Sequence, residues 1–230
     1  MRRAWATGLA SCTAMLVLVA AAPQAGAQDK ARKARAAASA ASAAAKARDG
    51  TAAKYAQRFA AECAACHGAN GRSDMPLTPV LAGQPSLYAI TQLFLFREAR
   101  RGSDAMNAVA KNMSDDDLRG FSDHIGTLPP VPAPPPAAAR IRRAWHGQGR
   151  ALAQQHRCVA CHGAALDGGQ QVPRIAGQRE DYLKMTLRGF QAGTRAGYTQ
   201  AMTAAVSHVP VDDLDTLAYF VARFPGVTPP

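Results

Sequence analysis

Half-buried strands need runs in which apolar and polar residues alternate, and this 230-residue chain has none. Its one long apolar run, Ala14 to Ala22, is shorter than the roughly 20 residues that cross a bilayer. The first absence excludes a sheet-based fold and the second a membrane-spanning domain. Cysteine is also scarce, at five residues, and it is not scattered. Cys12 stands alone near the start, and the other four fall into two identical C-x-x-C-H units, so no thiol is left for a disulfide framework. Acidic residues are outnumbered 16 to 27 by lysine and arginine, giving a formal net charge of +11.

Residues 1–27 read as a secretory signal. Arg2 and Arg3 form a basic start, the apolar run follows, and Ala25, Gly26 and Ala27 offer a small-x-small cleavage site. The apolar run follows Cys12 instead of preceding it, which speaks against lipid attachment there. Residues 28–50 are alanine with interspersed Lys and Arg, six basic groups against two acidic, and show no apolar stripe. They are expected to form a disordered leader. Residues 51–127 balance at eight and eight, whereas residues 140–230 hold eleven basic and six acidic groups. This uneven charge is a poor footprint for nucleic acid. It suits steered encounter with an acidic redox protein, or peripheral association with an anionic membrane surface.

Six prolines crowd residues 128–139 and favour extended polyproline structure, which makes this stretch a linker. The segments on either side, 51–127 and 140–230, repeat one another. Cys63 to Cys158 is 95 positions, Pro79 to Pro173 is 94, Leu81 to Ile175 at the head of the shared L/I-A-G-Q unit is 94, Tyr88 to Tyr182 is 94, and Met106 to Met202 is 96. The chain is therefore expected to be all-α, with two tandem copies of one helical module joined by a Pro-rich linker.

In the first copy Tyr55, Phe59 and Cys63 recur every four residues, a second helix begins after Pro85, and a third begins at Ser114 with Leu118, Phe121 and Ile125 on its buried face. Ser114 can cap that helix ahead of Asp115, Asp116 and Asp117; Pro210 takes its place in the second copy and leaves no hydroxyl cap. A module this small buries too little apolar surface to offset the entropy of ordering its chain, so each is expected to need a bound group in its core.

The C-x-x-C-H units supply that group. Their two thiols add to the vinyl groups of a haem and the histidine ligates the iron, which places haem c on Cys63, Cys66 and His67 and a second on Cys158, Cys161 and His162. A thioredoxin-type dithiol would need a βαβ context that is absent, and zinc a more compact ligand set. Of the methionines beyond the signal, Met75, Met106, Met113, Met185 and Met202, only Met106 and Met202 match at the repeat offset. They lie 39 and 40 residues after His67 and His162, far enough for the chain to pass around a haem edge, and are the candidate sixth ligands. Met113 and Met185 are assigned to packing, and Met75 lies too near His67 to reach the opposite face. Pro79 and Pro173 fall where a backbone carbonyl could orient each histidine through Nδ1. Tyr88, Tyr182, Arg100, Arg101 and Arg195 could approach propionates, although tyrosine on a helix more often packs in a core and arginine more often meets solvent. His124, His146, His156 and His208 have no repeat partners and read as structural or surface residues.

At C-A-A-C-H-G (63–68), C-V-A-C-H-G (158–163), P-x-L/I-A-G-Q followed by tyrosine, and a methionine eight positions before the last helix, the chain resembles the cytochrome c4 family. That resemblance covers residues 51–228 and implies two class I cytochrome c domains in a periplasmic di-haem protein. It further implies His67 with Met106 and His162 with Met202 as ligand pairs, and single-electron transfer between redox partners, a dehydrogenase or a terminal oxidase of a respiratory chain. No catalytic residue is expected. A cytochrome subunit of a membrane dehydrogenase or oxidase complex, or a di-haem enzyme of peroxidase or thiosulfate-oxidising type, shares the motifs; an enzyme would need one open iron position.

Overall fold

The structure, a computed structural model, describes residues 25–131, 139–195 and 200–225. Most of the expected signal and the centre of the proline-rich linker, residues 132–138, lie outside them. The chain divides into two units, residues 1–46 and 47–230. Within the described residues all regular structure is helical, apart from one isolated bridge between Gly169 and Val172. No described helix is long and apolar enough to cross a membrane.

In the first unit, residues 25–46 belong to helix α1 (Ala25–Glu62), and the side chains of residues 29–46 are exposed. The expected leader, residues 28–50, falls within this helix, and its exposed side chains match the lack of an apolar stripe. Alanine, lysine and arginine are strong helix formers, and α1 carries on into a segment whose helical form is fixed by packing, so no second nucleation is needed.

The second unit holds two separate hydrophobic cores, one for each repeat. In the first, Tyr55 and Phe59 of α1 pack with Leu93 and Phe96 of α3 (Ser86–Arg97), Ala110 of α4 (Asp104–Ala110), and Leu118, Phe121 and Ile125 of α5 (Asp115–Thr127). Ser114 caps α5 as its sequence suggests: Oγ accepts from the Asp117 amide at 3.1 Å while the Asp117 carboxylate accepts from the Ser114 amide at 3.1 Å. Asp117 also takes the Tyr55 hydroxyl at 3.0 Å and the Arg58 guanidinium, tying α1 to α5.

The second core gathers Leu152 and Ala153 of α6 (Ala139–Gln155), Leu183 of α8 (Glu180–Gln191), Val206 of α9 (Gln200–Val206), and Leu214, Leu217, Phe220 and Val221 of α10 (Val211–Ala222). Pro210 stands at the N-cap of α10 and contributes no side-chain cap. The two short helices between, α2 (Ala64–His67) and α7 (Cys158–His162), carry the C-x-x-C-H units.

Candidate functional site

Each C-x-x-C-H unit closes a single helical turn. The amides of Cys66 and His67 both donate to the Cys63 carbonyl, at 3.2 and 2.9 Å. Residues three and four apart are neighbours on a helix, so Cys66 and His67 each lie beside Cys63 within one turn. In the second copy the turn starts after Arg157, which adopts the left-handed conformation at φ 56°. All four thiols are free; Cys66 and Cys161 are exposed, Cys63 and Cys158 half-buried. Burial pushes the Cys63 thiol up to about 11 and raises Cys158 as well, opposite to the lowered thiol of a redox-active dithiol.

The histidines are held alike. His67 Nδ1 donates to the Pro79 carbonyl at 2.9 Å and His162 Nδ1 to the Pro173 carbonyl at 3.0 Å, as the sequence suggested for these prolines. A carbonyl can only accept, so Nδ1 carries the proton and Nε2 keeps the lone pair. Burial lowers both histidines below their ordinary value, more strongly than the carbonyl bond raises them. Both are therefore neutral, the form that coordinates a metal.

The methionines sort by environment. Met106 in α4 and Met202 in α9 are half-buried against the first and second cores. Met113 is buried in the first core, as expected. Met185 is 43% exposed, which corrects its assignment to core packing. The α8 stripe that meets the core runs through Leu183, Leu187 and Phe190, and a residue two beyond Leu183 is rotated about 200° from it. Met75 is exposed. His124 lies against Phe59 and His146 against Phe220, consistent with structural roles, and His208 is exposed.

Between the two repeats lies a network that the sequence did not announce. Gln178 donates through Nε2 to the Val80 carbonyl at 2.9 Å and accepts from the Val80 amide at 2.7 Å. Its repeat counterpart Gln84 donates to the carbonyl of Arg174, the counterpart of Val80, at 2.8 Å. Arg101 is buried; it bonds Gln92 in its own repeat and donates to the Tyr182 hydroxyl in the other at 2.7 Å. Arg195 reaches the same hydroxyl at 3.2 Å. The signal available in the sequence was the shared offset, since Gln84 to Gln178 and Arg101 to Arg195 are both 94 positions.

Two family profiles match these repeats: one described as cytochrome c oxidase, cbb3-type, subunit III over residues 50–125, and one described as cytochrome c over residues 147–222. Cytochrome c4 from Thiocapsa roseopersicina is 33% identical over 144 residues, covering 61% of this chain and 74% of the relative. The chain belongs to the cytochrome c4 family. A thiosulfate dehydrogenase electron acceptor from Stutzerimonas stutzeri (strain A1501) is 33% identical over 167 residues, covering 69% of this chain and 76% of the relative. The crystal structure of reduced recombinant cytochrome c4 from Pseudomonas stutzeri superposes with a TM-score of 0.67 at 24% identity, over 75% of this chain and 98% of that one, a likeness of fold.

As a cytochrome c4 the chain is a di-haem electron-transfer protein with covalently bound haem c in two tandem all-α domains. The residues present fit that cofactor. Two thiols and a neutral imidazole share one turn in each domain, with Nε2 left to coordinate.

Proposed function

We propose that this cytochrome c4 relays single electrons between periplasmic redox proteins, towards a terminal oxidase. In this reading one haem is attached at Cys63 and Cys66 and ligated by His67 and Met106. The other is attached at Cys158 and Cys161 and ligated by His162 and Met202. The haem iron would supply a one-electron couple; the chain would supply the cysteine attachment points and the histidine and methionine ligands. The domains span residues 51–127 and 140–230.

The observation that carries this reading is the matched histidine geometry. In both domains Nδ1 is committed to a proline carbonyl, which aims Nε2 as a ligand, and a half-buried methionine stands at the repeat offset. Irons held by both a histidine and a methionine would leave no open position for substrate, which favours a carrier over an enzyme. The thiosulfate dehydrogenase electron acceptor among the relatives favours a second reading of the donor, a thiosulfate-oxidising enzyme.

The test is the absorption spectrum of the oxidised holoprotein. Both haems should contribute to the long-wavelength methionine-to-iron charge-transfer band, and Met106→Ala and Met202→Ala should each remove one share. A haem without the band in the unmutated protein would overturn the two-carrier reading. Stopped-flow reduction by a thiosulfate dehydrogenase, compared with oxidation by a membrane oxidase, separates the partners.

A further inference from the structure

Pro79 and Val80 share one peptide group. Its carbonyl accepts from His67 Nδ1 at 2.9 Å, and its amide N–H donates to Oε1 of Gln178, from the other domain, at 2.7 Å. His67, Val80 and Gln178 are all buried, at 5, 6 and 6% exposure, so solvent does not screen this chain of bonds. The Gln178 amide is fixed at both ends. Oε1 takes a second N–H, that of Arg179, at 3.0 Å, while Nε2 donates to the Val80 carbonyl at 2.9 Å.

Among the described residues the second domain shows no matching contact. His162 bonds the Pro173 carbonyl, and the amide of that peptide belongs to Arg174. Among the described residues the Gln84 side chain donates to the Arg174 carbonyl, and its own Oε1 is buried with no donor.

Hydrogen bonds in series through one peptide polarise each other. An acceptor on the Val80 amide makes the Pro79 carbonyl more negative and a stronger acceptor. His67 Nδ1–H is then drawn further towards it, and the imidazole becomes more basic at Nε2.

Resting on the reading of His67 as an iron ligand, we propose that Gln178 of the second domain is a positioning residue for the first haem: through the Pro79–Val80 peptide it strengthens the histidine donor and lowers that haem's reduction potential, with no reciprocal effect from Gln84. The two haems thereby differ in potential by a contact that exists only when the domains are docked.

The experiment compares Gln178→Met with Gln84→Met in the di-haem holoprotein, by spectroelectrochemical titration of each haem and NMR of the His67 and His162 ring protons. Gln178→Met should raise the potential of the first haem and move the hyperfine-shifted His67 ring signals, leaving those of His162 in place. Gln84→Met should move neither ring comparably. Equal shifts in both variants would mean general loosening of the interface and would overturn the proposal, as would an unmoved His67 signal. If Gln178→Met does not assemble, the unmutated reduced protein decides: His67 Nδ1–H should resonate downfield of His162 Nδ1–H, and equal shifts sink the idea. Absence of any hyperfine shift on His67 in the oxidised protein would instead overturn the ligand assignment itself.

Discussion

Arg101 Nη2 donates to the Tyr182 hydroxyl at 2.7 Å across 81 positions of sequence. The guanidinium also bonds Gln92 and lies over the Phe96 ring at 4.4 Å, so one side chain joins both repeats and its own core. Hydrogen bonds to a charged group contribute about 1.5–3 kcal/mol each way of accounting. Arg101→Leu should therefore cost about that much in guanidinium unfolding of the holoprotein. Arg101→Lys should recover little, because an ammonium cannot fork between Gln92 and Tyr182.

Asp117 gives the first domain an acid-sensitive joint. Its burial raises it, but bonds from Ser114, Arg58 and Tyr55 outweigh that and hold it at about 2, against an ordinary 3.8. A depressed carboxylate stabilises the fold fully above its unfolded value and loses that contribution as pH falls through the folded one. The loss should fall between about pH 4 and 2. Asp117→Asn should flatten the acid limb of the unfolding profile in that window and cost about 1–2 kcal/mol at neutral pH.

Close helix crossings make two glycines sensitive. A Cβ on Gly120 in α5 would run into the Tyr55 ring, and one on Gly149 in α6 would run into Phe220. Overpacking a fixed crossing costs about 1–3 kcal/mol. Gly120→Ala and Gly149→Ala should each lower the thermal midpoint, whereas Gly102→Ala, with open space around it, should leave it unchanged.

The caps can be exchanged between repeats. Ser114→Ala should cost about 1 kcal/mol by removing the Oγ acceptor from the Asp117 amide. Pro210→Ser offers α10 the hydroxyl it lacks and should gain up to about 1 kcal/mol, read as a rise in the denaturation midpoint.

The helices were legible because their causes are local. The four-residue spacing of Tyr55 and Phe59, the Ser114 cap and the Leu118, Phe121 and Ile125 face each lie within a few turns, and all appear in the structure. Helix propensity in the leader was legible in its alanine, lysine and arginine content, and α1 includes it. Met185 was misread because its presence on a helix said nothing of which face it takes; Leu183, Leu187 and Phe190 define that face.

The amino-acid sequence alone determined the chemistry of each motif: two thiols and an imidazole, doubled at a near-constant offset, need no tertiary information to fall within one turn. Tertiary structure decided how the copies differ. Gln178 meets Val80 across 98 positions, while Gln84 keeps a buried oxygen without a donor among the described residues, although the two glutamines occupy the same place in the repeat. Repeat pattern makes the two glutamines equivalent. Docking two non-identical surfaces breaks that equivalence, because hydrogen-bond geometry depends on the packed position of every neighbour and not on periodicity along the chain.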